Sequence, residues 1–369
     1  MSNTVIIINK NQFENNLKVI RTIIKQGTKF CLPVKANAYG HDLLIISKIA
    51  QNYVDYFGVA FVAEGIALRE NGIIKPILVF GSFSQNQIPE FIQYNLDITI
   101  SSFLRANQII DFCKTSGLSC NVHLKVDTGM HRVGISVKNA ISLIDHILAN
   151  KELNLIGVYS HFANSEKIND PYTLEQINQF NHIVKYIKNI CPKIICHIAN
   201  STGMINYPNA HYDMVRPGIL SYGYITFKNK RSNLKKLIKQ CFTLQSKIIY
   251  NKIVDANKFI SYKGLYVTKS KTRIITIPIG YGDGYRKQLS NKGEVLFKGK
   301  KYKVSGEICM DMLMVDLGME VEAYVEEEVI LIGEQSGNII SIESIAKKCK
   351  TNIYEIMCAF NSRIPRIVQ

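Results

Sequence analysis

The stretch Cys120–His161, CNVHLKVDTGMHRVGISVKNAISLIDHILANKELNLIGVYSH, decides the reading of the fold. It opens with a β-rich run over Cys120–Asp127, continues with an amphipathic stretch over Lys138–Ala149 and ends in a second apolar run, Leu155–His161. Strand, helix, strand in that order is a βαβ unit, whose two strands lie parallel with the helix packed over them. The pattern recurs on both sides. Strands are predicted over Phe30–Lys35, Phe57–Val62, Pro76–Gly81, Asp97–Ser101, Ile194–Ala199 and Tyr212–Arg216, with helical spacing over Ala63–Asn71, Leu104–Thr115 and Thr173–Asn189. Eight strand signals, each with a helix or a place for one, predict an α/β fold of the (β/α)8 TIM-barrel type. A doubly wound sheet is the alternative, but no GxGxxG follows the first strand.

After about residue 235 the texture changes. Phe242–Val254, Thr272–Gly280, Gly293–Lys300, Lys303–Leu317 and Glu326–Gly333 read as strands without intervening helices, followed by short helices at Ile342–Lys350 and Ile353–Phe360. The expected division is a barrel over residues 1–235 and a mostly-β domain over 236–369, joined tightly within Arg231–Cys241. The run Val5–Ile8 precedes the barrel cycle, so residues 1–10 are expected to lend a strand to the β domain.

Composition narrows the function classes. Hydrophobic residues make up 47% of the 369, enough for real cores, and no apolar run approaches the ~18 residues of a membrane helix. Met1-Ser2-Asn3-Thr4 carries no basic leader, which predicts a cytoplasmic protein. The formal charge of +16 comes from scattered residues without aromatic interleaving or a nucleic-acid motif. A basic surface that attracts anionic ligands is expected rather than a nucleic-acid partner. Nine Cys include no CxxC and the eight His no HExxH or HxH, so no metal site is expected and the thiols read as reduced and mostly buried.

Barrel enzymes place their chemistry at the C-terminal ends of the strands. Polar residues collect there: Lys35 ends the first strand signal, Lys125 lies within the fifth with Arg132 just beyond it, and His161 ends the sixth, while Asn200-Ser201 follow the seventh and Arg216-Pro217-Gly218-Ile219 the eighth. The loops after strands seven and eight often bind phosphate, and Ser201, Gly218 and Ile219 are placed to give a hydroxyl and two backbone N–H groups to it. A lysine at a strand end beside a phosphate site suggests pyridoxal phosphate, whose aldehyde needs an amine. Plainer readings stand beside this one. Arg132 and Arg216 could pair with barrel carboxylates, His161 could be a core histidine, and Ser201 could cap the helix that follows it.

The segment Val34-Lys35-Ala36-Asn37-Ala38-Tyr39-Gly40-His41 resembles the cofactor-attachment segment of bacterial alanine racemases, which are pyridoxal-phosphate-dependent. The resemblance continues in order through Lys125–Gly134, Ser160–Ala163, Ala199–Ser201, Val215–Gly223, Ser261–Tyr266, Ile277–Gly284, Gly306–Asp311, Ile353–Glu355 and Arg363–Arg366. It implies a barrel followed by a β domain, a homodimer with active sites shared between subunits, and interconversion of L- and D-alanine that supplies D-alanine for peptidoglycan. A broad-specificity or serine racemase of the same family is the alternative.

By the same resemblance Lys35 anchors the cofactor and is one of two bases, and Tyr262 is the other, reaching the site from the partner subunit. Arg216 faces the pyridine nitrogen; Arg132 touches the phenolic oxygen and the substrate carboxylate; Lys125 is often carbamylated and orients that arginine. Met310 offers its backbone N–H to the carboxylate. Tyr39, Ser201, Gly218, Ile219 and Tyr354 hold the phosphate, and Tyr281 and Tyr354 narrow the entrance. His161 is placed with the cofactor-binding set and, with Arg216, is expected to give Tyr262 cationic surroundings. Asp42 and Lys263 stand where glycine is usual, and Asn361-Ser362 replaces the more common pair before Arg363.

Two bases on opposite faces of Cα racemise without turning the substrate over. An arginine at the pyridine nitrogen argues against the related decarboxylases, which use an acid there. A lone-barrel cofactor carrier would lack the second domain and Tyr262.

Overall fold

The computed structural model describes residues 3–225 and 234–369. The part of the expected join over 231–233 lies outside them. The chain divides into two compact units, Asn11–Ala38 with Leu43–Gln240, and Met1–Lys10 with Tyr39–Asp42 and Cys241–Gln369. The hairpin-length insert Tyr39–Asp42 was not anticipated.

The first unit is the parallel barrel. Its strands run in the order Met214–Val215, Lys29–Pro33, Tyr56–Val59, Ile77–Val79, Asp97–Ile100, Cys120–Asp127, Leu153–Tyr159 and Ile195–His197. All neighbours are parallel. A parallel bridge between Asn200 and Arg216 and the Arg216 N–H to Ala199 carbonyl bond of 2.8 Å bring the two end strands together. Every strand predicted for the barrel is present. They are buried on both faces, as helix-covered parallel strands must be, which is why they read as unbroken apolar runs. The helix Lys10–Ile23 lacked a place in the sequence reading; Phe13, Leu17 and Ile20, spaced four and three apart, are its buried stripe.

The second unit contains a sheet ordered Lys300–Lys303, Glu294–Phe297, Glu328–Gln335, Phe242–Lys247, Val5–Ile8 and Arg366–Val368. Val5–Ile8 pairs antiparallel with Phe242–Lys247, so the N-terminal run does join the β-rich half. A smaller sheet holds Tyr250–Val254, Thr272–Ile277 and Leu313–Gly318. Two predicted strands are corrected. Phe242–Val254 is two strands, because Ile248 N–H bonds to Glu327 in one sheet and Ile249 N–H to Thr276 in the other. Lys303–Leu317 breaks after Lys303. Gly306 turns the chain there with φ 90°, and a Cβ on it would lie 2.4 Å from the Ile260 carbonyl oxygen. The loop so formed carries Met310.

Among the described residues no helix is long and apolar enough to cross a membrane, and no group of His, Cys, Asp and Glu could hold a metal ion. Cys31, Cys113, Cys120, Cys196 and Cys241 are buried.

Candidate active site

Lys35 follows the first barrel strand, and the backbone after it has the wrong hand for L-residues. Ala36, Asn37, Ala38 and Tyr39 have φ of 54°, 52°, 52° and 54°. A left-handed turn of non-glycine residues costs about 1–2 kcal/mol per residue, on the order of 4–8 kcal/mol for these four. Fixed hydrogen bonds hold it. Glu64 Oε1 accepts from Ala36 N–H at 2.7 Å while its Oε2 accepts from Ala60 N–H at 2.7 Å. Asn37 Oδ1 accepts from Leu43 N–H at 2.8 Å. Such strain persists only where surroundings over-determine it, and it concentrates at functional sites. Farther on, Asp42 has φ 82° and Lys263 φ 63°. Both departures from the family pattern therefore keep the backbone that glycine takes without strain.

Around the barrel's C-terminal rim the predicted cations converge. Lys125 is 8% exposed, and burial first, then Arg216 and Arg132, hold its amine well below the usual lysine range; Asp127 opposes and Lys35 adds to the shift. His161 is held well below the usual imidazole range by burial, then by Lys125, Arg216, Arg132 and Lys35. These shared influences bring Lys35, Lys125, Arg132, His161 and Arg216 into one neighbourhood. Arg132 is delivered by a loop whose Gly129, Met130 and His131 N–H groups each bond to Asp127 Oδ1 at 3.0 Å.

The plainer reading of Arg216 fails, because its guanidinium meets imidazoles and carbonyls rather than a carboxylate. Nη1 is 2.5 Å from His197 Nδ1, and Nη2 lies 2.7 Å from the Ser160 oxygen, 3.1 Å from the Ile198 oxygen and 3.3 Å from His161 Nδ1. Nε has no acceptor among the described residues. A neutral His161 accepting from Arg216 also corrects the expectation that it adds positive charge for Tyr262. The Tyr159 ring lies between further contacts, parallel to His197 at 4.8 Å, with Lys125 Nζ 4.4 Å and Arg216 Cζ 5.4 Å from its centroid. Burial pushes its hydroxyl up to about 12.

Beside them is a small anion cradle. The helix Ser201–Asn206 is capped by Asn200, whose Oδ1 accepts from Gly203 N–H at 2.8 Å, so Ser201 is not the cap. Ser201 Oγ instead accepts from Leu220 N–H at 3.2 Å. The N–H groups of Gly218 and Ile219 have no acceptor among the described residues, and Ile219 is buried. Unsatisfied buried N–H groups beside a hydroxyl suit a phosphate-like anion.

The remaining predicted residues belong to the other unit. Tyr39 and Tyr354 have ring centroids 5.9 Å apart. Tyr281 N–H bonds to Cys309 O at 3.1 Å and Gly282 N–H to Met310 O at 2.8 Å, which places Tyr281 beside Met310. Tyr262 is 63% exposed and sits between Ser261 and Lys263, both with positive φ. Ser261 Oγ donates to Glu307 O at 2.5 Å, and the Glu307 carboxylate binds Lys287 at 2.7 Å and Lys263 at 3.3 Å. Sequence reading passed over Glu64, His197 and Glu307. Polar residues at inward positions of buried strands, as His197 is, were the available signal.

The His161 and His197 imidazoles predict an acid limit to stability. His161 and His197 are both held down in the folded chain, burial first. Unfolded histidines titrate near about 6.5. Above that pH the linkage is silent; below it the unfolded chain binds protons that the folded chain refuses, so stability falls as pH drops toward the folded values. The urea midpoint should decline between about pH 7.5 and 5.5, and His161→Asn should flatten part of the slope. A midpoint that rises on acidification contradicts this.

Residues 8–226 match the family description "Alanine racemase, N-terminal domain" and residues 241–368 "Alanine racemase, C-terminal domain". An alanine racemase of Halothermothrix orenii is 34% identical over 353 residues, 95% of this chain and 93% of that one. An alanine racemase structure from Clostridium difficile 630 superposes with a TM-score of 0.94 at 32% identity, covering 100% of this chain and 96% of the other. The Bacillus anthracis alanine racemase with bound L-Ala-P gives 0.93 at 30% identity, covering 100% and 95%.

Proposed function

The chain belongs to the alanine racemase family, and on that premise we propose that it interconverts L- and D-alanine with pyridoxal phosphate, using Lys35 and Tyr262 as the two bases. The observation that carries the reading is the gathering of Lys35 with Lys125, Arg132 and Arg216 next to the Ser201, Gly218 and Ile219 cradle. These donors fit the cofactor: an amine for its aldehyde, unaccepted N–H groups for its phosphate, and the unaccepted Arg216 Nε for its ring nitrogen. Bound there, pyridoxal phosphate supplies an electron sink for negative charge developing at the substrate Cα.

The chain's own groups do the rest. Lys35 takes or returns the proton on one face of Cα and Tyr262 on the other. Tyr39 and Tyr354, whose rings lie 5.9 Å apart in the other unit, carry the phosphate-holding role that the family resemblance assigns them. The family resemblance assigns Arg132 and the Met310 N–H to the substrate carboxylate and Tyr281 and Tyr354 to limiting the substrate's size. Lys125, whose amine burial and then Arg216 and Arg132 hold well below the usual lysine range, is a nucleophilic amine; adding to carbon dioxide with loss of one proton, it becomes a carbamate that pairs with Arg132. Tyr262 comes from the partner in a homodimer. The product D-alanine serves peptidoglycan synthesis in the cytoplasm.

The test is a panel of L-amino acids followed by polarimetry with pyridoxal phosphate present. L-Alanine should lose its rotation fastest, ahead of L-serine. Rotation unchanged for every member overturns the proposal.

Arg216 also governs side reactions. A guanidinium hardly ever gives up its proton, so Arg216 would hold the bound cofactor's ring nitrogen without protonating it, which would disfavour transamination. Arg216→Glu should slow racemisation on the order of 10²-fold and raise the share of pyruvate formed from alanine. An unchanged pyruvate share would refute this role.

A further inference from the structure

A line of polar side chains crosses the barrel interior from floor to rim. Asp97 opens its strand, at the N-terminal end of the barrel, and is 3% exposed. It accepts the Tyr56 hydroxyl. His123 Nδ1 lies 3.2 Å from His197 Nε2 and His197 Nδ1 2.5 Å from Arg216 Nη1, while His123 Nε2 lies 3.3 Å from Asp97 Oδ2, an ion-pair distance without hydrogen-bond geometry. Both imidazoles are 0% exposed.

One end of this line fixes the direction of every link. A guanidinium only donates, so His197 Nδ1 must accept and the ring's proton must be on Nε2. That proton faces His123 Nδ1, which must accept in turn, so the His123 proton is on Nε2 and faces Asp97. The series ends beside a carboxylate, whose negative charge 3.3 Å away favours the proton on that nitrogen.

We infer that Asp97, acting through His123 and His197, is a positioning residue that holds the Arg216 guanidinium in a single orientation at the barrel rim. Tyr159 fixes the plane of the His197 ring by stacking at 4.8 Å with the rings 3° apart, and Asp97 fixes its tautomer. Burial and the Arg216 charge keep His197 singly protonated. If the tautomer reversed, an imidazole N–H would meet a guanidinium N–H, and Arg216 would have to turn away. Arg216 has no carboxylate partner in direct contact among the described residues, so this line is its link to a buried negative charge. The consequence for catalysis rests on the proposed cofactor site; the line of side chains does not.

The test uses full-length, cofactor-free protein with 15N-labelled histidine and arginine. In the wild type both His123 and His197 should be Nε2–H tautomers, and the Arg216 Nη signals should show restricted rotation. Asp97→Ala should give mixed tautomers at both rings and free rotation of Arg216. Asp97→Asn, which keeps an acceptor oxygen, should restore both signatures. With cofactor, Asp97→Ala should lower kcat roughly tenfold with KM little changed, and Asp97→Asn should recover most of it. An Nδ1–H tautomer at either ring in the wild type overturns the inference, even if Asp97→Ala does not fold. So does a folded Asp97→Ala protein with both tautomers and Arg216 rotation unchanged. Expected NMR signatures in a protein that binds no pyridoxal phosphate would instead refute the proposed function alone.

Discussion

Lys35→Ala should leave a folded protein whose racemase activity is lower by about 10²–10⁴-fold, the range a positioned acid–base group contributes. The loss has two sources in one side chain, because Lys35 both anchors the cofactor and handles the Cα proton on one face. Folding should survive. Lys35 is one of the charges that push down Lys125 and His161, so removing it takes one positive charge away from a rim that already holds Arg132 and Arg216. The left-handed turn after it is held by Glu64 and Asn37 through bonds that do not use the Lys35 side chain. Thermal melting within a few degrees of wild type, together with collapsed kcat, is the expected pair of results. Activity within tenfold of wild type would remove Lys35 from the chemistry.

The second large effect is a recovery. Lys35→Ala and Tyr262→Phe should each be nearly inactive as homodimers. Mixed after reversible dissociation, they should form hybrids in which one site carries both defects and the other neither. With random pairing about half the dimers are hybrids, each with one intact site of two, so activity should return to roughly a quarter of wild type if the sites are independent. Subtracting the parents' background isolates the gain. No recovery with hybrids demonstrably present would mean that each site is built within one chain. As a homodimer, Tyr262→Phe should also suppress exchange of the Cα proton with deuterated solvent more for one enantiomer than for the other.

Much of this was legible in the sequence because parallel strands buried on both faces announce themselves as apolar runs between amphipathic helices. The cations at strand ends were legible for the same reason: Lys35, Lys125 and Arg216 interrupt or follow such runs. The turn Ala36–Tyr39 was not, since Ala-Asn-Ala-Tyr carries no glycine and its hand is imposed by Glu64, contributed by a later helix. The break in Lys303–Leu317 was hidden because its loop is as apolar as the strands beside it, and only the close approach of Gly306 to Ile260 reveals the turn. The line from Asp97 to Arg216 joins residues from four separate strands or strand ends. Only closure of the barrel puts them in register, so no local pattern could announce it.

The central claim is that Lys35 is the covalent anchor of pyridoxal phosphate, and reduction with borohydride followed by peptide mapping tests it most directly. The account predicts a single pyridoxyl-modified site, on the peptide containing Lys35, with loss of activity in proportion to its labelling. A modified site on Lys125 or any other lysine, with Lys35 unlabelled, would contradict it.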